Sequence, residues 1–140
     1  MSNLKPYSSI LLALGGILLM AMGGYFIFLR PSLLPEDLRY MNITIPKLED
    51  TIPNLQTWLQ KVFWVMGGYI FSTGGLIIYI SQTTFRVRTK GSFTIVAIAG
   101  ISSIGLMTGI NFLIDSNFKW ILLAFILPWA IALTLYHLHK

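Results

Sequence analysis

The chain has 140 residues, of which 55% are hydrophobic, 11% are charged and none is cysteine, and its formal net charge is +5. Without cysteine, the chain can form no disulfide, no thiol nucleophile and no thiolate metal site. Its ten basic residues are too few and too scattered to form the extended basic patch of a nucleic-acid-binding protein. We therefore expect no nucleic-acid partner.

Four apolar segments are long enough to cross a bilayer, which takes roughly 20 apolar residues in a helix. They cover residues 7–29, 62–81, 92–114 and 118–138. Helices are expected because lipid offers no partner to free backbone groups. The first segment is longer than the roughly 7–15 residues of a signal-peptide core, so we expect the chain to retain it. The sequence predicts a single all-α domain, residues 1–140, in which four transmembrane helices form an antiparallel bundle.

Basic residues indicate the orientation of this bundle. Each side of the membrane would carry five basic residues, so their number alone does not determine the orientation. Arg86, Arg88 and Lys90 are concentrated in one short turn, on the same side as Lys5 and Lys140. Because basic residues favour the cytoplasmic side, we expect both termini to be cytoplasmic and the loop 30–61 to lie outside.

A repeated glycine motif marks the first two apolar segments. Met22-Gly23-Gly24-Tyr25 recurs as Met66-Gly67-Gly68-Tyr69, and each segment has a second glycine pair about two turns deeper. Small residues let two helices approach closely in lipid. We therefore predict a packing seam, or alternatively a gap for a ligand, a lipid tail or a partner helix lined by the two tyrosines. The residues of this prediction are Gly15, Gly16, Gly23, Gly24, Tyr25, Gly67, Gly68, Tyr69, Gly74 and Gly75.

The third and fourth segments carry two further signals. Ser102, Gly105 and Gly109 share one helical face, which predicts burial against another helix in the same chain or in another chain. Pro128 predicts a kink in the fourth helix.

The outer loop is expected to be structured between the first two helices, because loops of this length tend to carry short elements. Pro35 followed by two acidic residues favours a first helical turn near residues 32–39. Leu55, Trp58, Leu59 and Val62 have helical spacing, which predicts an amphipathic segment at the membrane surface leading into the second span.

Candidate catalytic residues are restricted to this outer side: Glu36, Asp37, Arg39 and Asp115. Carboxylates of this kind can bind a cation or serve in acid–base chemistry. The structural alternative is a capped helix start with an arginine–carboxylate pair. Adjacent Glu36 and Asp37 point about 100° apart on a helix, so they do not chelate by spacing alone. His137 and His139 lack a third ligand nearby, and we expect no metal and no cofactor.

Two stretches, residues 30–41 (RPSLLPEDLRYM) and 62–69 (VFWVMGGY), carry a family resemblance. Together with the four-span layout they resemble small uncharacterised bacterial membrane proteins of a DoxX-like kind. The resemblance covers the first 80 residues better than the rest of the chain. It implies a bacterial inner-membrane protein with a four-helix bundle, and it supplies no functional site.

The middle of each apolar segment lacks a charged residue. Intramembrane ionisable residues normally mark ion paths and proton relays, so such functions are disfavoured. We expect a non-catalytic bundle. It would be either an accessory subunit, with a membrane-protein partner or in a homo-oligomer, or a protein that binds a small lipid or another hydrophobic ligand. A membrane enzyme with an outer-surface site is the alternative, and an oligomeric carrier or pore is a second alternative.

Overall fold

The computed structural model describes residues 5–138 and the side chains of residues 7–138. These residues form helices and connecting turns and no strand. The helices are α1 (Lys5–Phe28), α2 (Pro35–Met41), α3 (Ile45–Thr51), α4 (Leu55–Gln82), α5 (Ser92–Gly100), a π-helical turn (Ile101–Gly105), α6 (Leu106–Leu113) and α7 (Lys119–Leu138). The side chain of Lys5, together with His139 and Lys140, lies outside the described residues.

Four helical stretches are long and apolar enough to cross a membrane: Tyr7–Phe28, Leu55–Gln82, Ser92–Leu113 and Lys119–Leu138. The prediction of an all-α integral membrane protein with four spans is confirmed. The second span differs from the prediction because it begins at Leu55 rather than at Val62. The expected surface segment is the first part of one continuous helix, because once a helix has started each added residue gains a backbone hydrogen bond.

Helix α1 is central to the packing of the spans. It packs most closely against α4 and next against α7, and α7 packs against the third span formed by α5, the π-helical turn and α6. We name the two ends of the bundle by what they carry. The loop end carries residues 29–54 and the turn 114–118, and the terminal end carries the turn 83–91.

Helices α1 and α4 touch backbone to backbone at two levels. A Cβ added to Gly23 would lie 2.7 Å from the carbonyl oxygen of Gly67, and one added to Gly16 would lie 2.8 Å from that of Gly74. Such distances leave no space for a side chain. These four residues form the glycine seam of the molecule.

The other glycines of the repeat lie outside the seam. A Cβ on Gly24, Gly68 or Gly75 would meet nothing within 4 Å, and Gly15 instead packs against Trp129, 3.1 Å from its Cε3 atom. Neighbouring residues of a helix point about 100° apart, so one member of each pair faces the partner helix and the other cannot. Tyr69 likewise points outward and is 73% exposed.

Of the three small residues on the predicted face of the third span, Gly105 is half-buried, whereas Ser102 and Gly109 are uncovered in the described part of the chain. Ser102 is exposed, and a Cβ on Gly109 would meet nothing within 4 Å. The π-helical turn adds about one residue to a helical turn, which rotates the faces on either side of it.

Gly100 packs against Trp129, whose indole donates a 3.0 Å hydrogen bond to the carbonyl oxygen of Val96.

Two residues that the sequence analysis named, Pro128 and Arg88, lie in α7 or against it. Pro128 lies inside α7, which continues on both sides of it. At the terminal end, Arg88 of the basic turn packs against Tyr136 of α7. Its guanidinium lies 4.5 Å from the ring centroid and donates a 2.6 Å hydrogen bond to the carbonyl oxygen of Tyr136.

We expect Gly23→Ala to lower the free energy of unfolding by about 1–3 kcal/mol, because the added methyl forces apart two touching backbones. Gly24→Ala is the matched control in the next position and should be neutral or stabilising by up to about 1 kcal/mol. Denaturant titration of helicity in detergent measures both. Equal stabilities of the two variants would contradict the seam.

Candidate functional site

A cavity of about 300 Å³ lies at the loop end among α1, α2, the third span and α7. Most of its wall is apolar, with Met22 and Phe26 from α1 and Leu122 and Phe125 from α7. Tyr25 lines it as well, so of the two motif tyrosines one borders a gap. The volume lies at the lower limit of ligand pockets, which measure roughly 300–1,000 Å³.

The polar part of the wall consists of Arg30, Glu36, Asp37, Asn111 and Ser116. Arg30 is 8% exposed, and its Nη2 lies 3.2 Å from Oδ2 of Asp37. Burial lowers the pKa of Arg30 from its ordinary value, while the negative charge of Asp37 opposes that shift. Arginine nevertheless remains protonated in proteins, so a buried cation borders the cavity.

Aromatic rings hold this cation on its other side. The guanidinium carbon of Arg30 lies 3.5 Å from the ring centroid of Phe63 and 5.3 Å from that of Phe26. A cation over an aromatic face is attracted by the ring quadrupole, and the attraction increases when water is excluded. Arg30 is thus held by a carboxylate and two rings.

The local sequence explains why α2 reaches the cavity. Pro35 occupies the first turn of α2, where its missing N–H costs nothing. Asp37 in the same turn accepts a 2.9 Å hydrogen bond from the backbone N–H of Leu34. One carboxylate therefore stabilises the start of α2 and holds Arg30.

Glu36 joins α2 to the turn between the last two spans. It is 1% exposed, and its Oε1 accepts a 2.9 Å hydrogen bond from the hydroxyl of Ser116. The Ser116 hydroxyl also accepts a 3.1 Å hydrogen bond from the backbone N–H of Phe118. A carboxyl group in an apolar wall is costly unless it is hydrogen-bonded, so this contact is needed to keep Glu36 inside.

The four catalytic candidates are brought to the same end of the bundle but do not form one cluster. Glu36 and Asp37 line the cavity, whereas Arg39 and Asp115 lie outside its wall. Arg39 donates a 2.6 Å hydrogen bond to the carbonyl oxygen of Asp115, not to its carboxylate. The Asp115 carboxylate pairs with Lys119, whose hydrogen bond and charge lower the pKa of Asp115.

Sequence reasoning assigned no role to Arg30 and Ser116. The expected arginine–carboxylate pair exists, but its arginine is Arg30 rather than Arg39. No spacing rule points to Arg30, because it pairs across a proline-containing loop. Among the described residues no group of histidines and carboxylates could hold a metal ion.

The arrangement suits an amphiphile. Two carboxyl groups and one guanidinium occupy one side of the cavity, and aromatic and aliphatic side chains occupy the other. The carboxyl groups are acceptors with capacity beyond the described hydrogen bonds, since a carboxylate offers about four lone-pair sites. A head that donates hydrogen bonds would match this polar side.

The fold and the cavity define the class: an all-α integral membrane protein with four spans and a polar-ended apolar cavity at one end. Comparison with protein-family models, with curated proteins and with solved structures found no match to this chain.

We expect Asp37→Asn to lower the free energy of unfolding by about 1–3 kcal/mol, because it leaves the buried Arg30 without its counter-charge. Asp50→Asn is the matched control, since Asp50 is exposed and lies outside the cavity wall. It should change stability by less than about 0.5 kcal/mol. Denaturant titration compares the two, and an equal effect of both substitutions would contradict the importance of the Arg30–Asp37 pair.

Proposed function

We propose that this protein binds one amphiphilic molecule, a lipid or another small hydrophobic ligand, in the loop-end cavity. The observation that carries the proposal is Glu36, a buried carboxyl group in the wall of an otherwise largely apolar cavity. In this proposal the head of the ligand donates hydrogen bonds to Glu36 and Asp37, and its chain lies against Met22 and Phe125.

The charges of the cavity wall support a neutral or cationic head. Arg30 supplies one positive charge, and Glu36 and Asp37 supply two negative charges. Because Arg30 is already paired with Asp37, an anionic head would also face the Glu36 carboxyl group, which accepts a hydrogen bond from Ser116. Like charges at such a site repel strongly, so a hydroxyl or amine head is favoured.

The size of the cavity limits what enters it. About 300 Å³ accommodates a head and the first part of a chain, not a whole phospholipid. The remainder of the chain would lie along the outside of the spans, in the bilayer. The protein would thus hold the head of its ligand at the membrane surface without removing the whole molecule from the membrane.

We also propose that the protein resides in a bacterial inner membrane with both termini in the cytoplasm. The concentration of basic residues in the turn that contains Arg86 and Lys90 supports this orientation. The resemblance to DoxX-like proteins supports the bacterial membrane. The cavity would then open toward the outer leaflet.

An accessory role is the second candidate function. The uncovered face with Ser102 and Gly109 favours it, because small residues in lipid usually pack against another helix. The occupant would be a membrane-protein partner or a second copy of this chain. Native mass spectrometry of the protein in mild detergent distinguishes these assemblies from a monomer that retains lipid.

Filling the cavity should abolish ligand binding. Ala21 lines the cavity, and we expect Ala21→Trp to weaken binding of monoolein, a neutral lipid with a hydroxyl head, by at least about tenfold. Ala124→Trp is the matched control, because Ala124 is exposed on α7 and lies outside the cavity wall. Titration with monoolein followed by native mass spectrometry measures both. Unaltered binding by Ala21→Trp would contradict the proposed location.

The head of the ligand should matter as well. We expect monoolein to bind about tenfold more tightly than methyl oleate, which lacks a donor, since hydrogen bonds to charged groups contribute about 1.5–3 kcal/mol. Glu36→Gln should reduce this preference, and Glu49→Gln, the same change outside the cavity wall, should preserve it. Equal binding of the two lipids by the unmodified protein would contradict recognition of a donor head.

A further inference from the structure

A second cleft, of about 210 Å³, lies at the terminal end between the start of α1 and the end of α4. It is lined by Ser9, Ile10, Ala13, Gln82 and Arg86. It shares no lining residue with the loop-end cavity and lies at the opposite end of the bundle.

Ser9 is the unusual residue of this cleft. It is 6% exposed, and its buried hydroxyl has no hydrogen-bond partner among the described residues. Other helical serines satisfy their hydroxyls on their own helix, as Ser81 does with the carbonyl oxygen of Ile78 and Ser102 with that of Ile98. A buried hydroxyl without a partner is costly. An acceptor in the cleft would satisfy it.

Arg86 gives the cleft a positive charge. All five acidic side chains belong to the loop end, so no side chain of the described terminal end offers Arg86 a carboxylate. Arg88, in the same turn, is held by Tyr136 and does not line the cleft. Arg86 therefore differs from Arg88 in lining the cleft.

The remaining lining residues are of two kinds, one polar and two apolar. Gln82 ends α4 at the level of Arg86 and brings an amide that can donate. Ala13 lies one turn beyond Ser9 along α1, toward the middle of the span, and Ile10 lies between them. The lining of the cleft thus combines a polar, cationic part with an apolar part.

We propose that this cleft binds the phosphate group of an anionic membrane lipid. Arg86, Gln82 and the Ser9 hydroxyl donate to the phosphate oxygens, and the first part of the acyl chain lies against Ile10 and Ala13. Inorganic phosphate presents the same oxygens, but it has no use for the apolar wall. A fork of guanidinium donors matches phosphate geometry, which gives Arg86 the leading role.

The test uses the full chain in nanodiscs of equimolar phosphatidylcholine and phosphatidylglycerol, followed by native mass spectrometry of the retained lipid. We expect one phosphatidylglycerol to be retained in preference to phosphatidylcholine. Arg86→Gln should lower its retention by about tenfold, the effect of losing one charge-assisted contact. Lys90→Gln removes the same charge from the same turn but outside the cleft, and should lower retention by less than about twofold.

Ser9→Ala separates binding from folding. It removes an unsatisfied hydroxyl, so the free energy of unfolding without anionic lipid should be unchanged or higher, while retention of phosphatidylglycerol falls.

Equal losses in Arg86→Gln and Lys90→Gln would overturn the proposal, because they would indicate surface charge alone. Displacement of the retained lipid by millimolar inorganic phosphate would overturn the assignment to a lipid. Since the cleft and the loop-end cavity share no residue, failure here leaves the proposed function intact.

Discussion

The direct contact between the backbones of α1 and α4 is the constraint on which the rest of the bundle depends. Lipid provides no hydrophobic drive between helices, so close packing must hold them together. Gly16 and Gly23 meet Gly74 and Gly67 at two levels of the membrane. Because α4 occupies this face of α1, the remaining faces of α1 are left for α7 and for the cavity. Gly15 illustrates the consequence, since it contacts Trp129 of α7 one residue away from the seam.

The loop-end cavity lies among α1, α2, the third span and α7, and no residue of α4 lines it. On its apolar side, Leu122 of α7 lines the cavity and belongs to the same buried core as Leu19 of α1. Above it, α2 crosses the opening and inserts Glu36 toward Ser116. The cavity therefore has an apolar floor made by spans and a polar side made by the loop. Under the proposed function, this separation of polar and apolar walls favours an amphiphile over a purely apolar or a purely polar molecule.

Sequence alone could predict the spans, because length and hydropathy determine them locally. It could not choose between the members of each glycine pair, since the choice depends on how α1 and α4 are rotated against each other. The face containing Ser102 and Gly109 was equally unpredictable, because the π-helical turn changes the helical register inside the span. The extent of α4 was missed because residues 55–61 have a pattern compatible with both a surface helix and a helix that continues into the span.

The sequence could predict which carboxylates belong to the candidate site. It could not predict which residues those carboxylates would contact. Glu36 and Asp37 were recognisable as the start of a helix. Their partners, Ser116 and Arg30, come from tertiary contacts, and Ser116 is separated from Glu36 by 80 residues of sequence. No local rule reports which arginine a loop carboxylate will meet when Arg30 and Arg39 are both nearby. The terminal-end cleft could not be predicted from the sequence either, because only the folded chain shows that the buried Ser9 hydroxyl lacks a hydrogen-bond partner.

The most direct test of the central claim is photo-crosslinking of the unmodified protein in its membrane with a photoreactive monoacylglycerol, followed by peptide mapping. Binding in the loop-end cavity predicts adducts concentrated on its lining residues, above all Met22 and Phe125, and their loss on competition with excess monoolein. Adducts spread evenly over the lipid-facing residues of all four spans, without competition, would contradict the account.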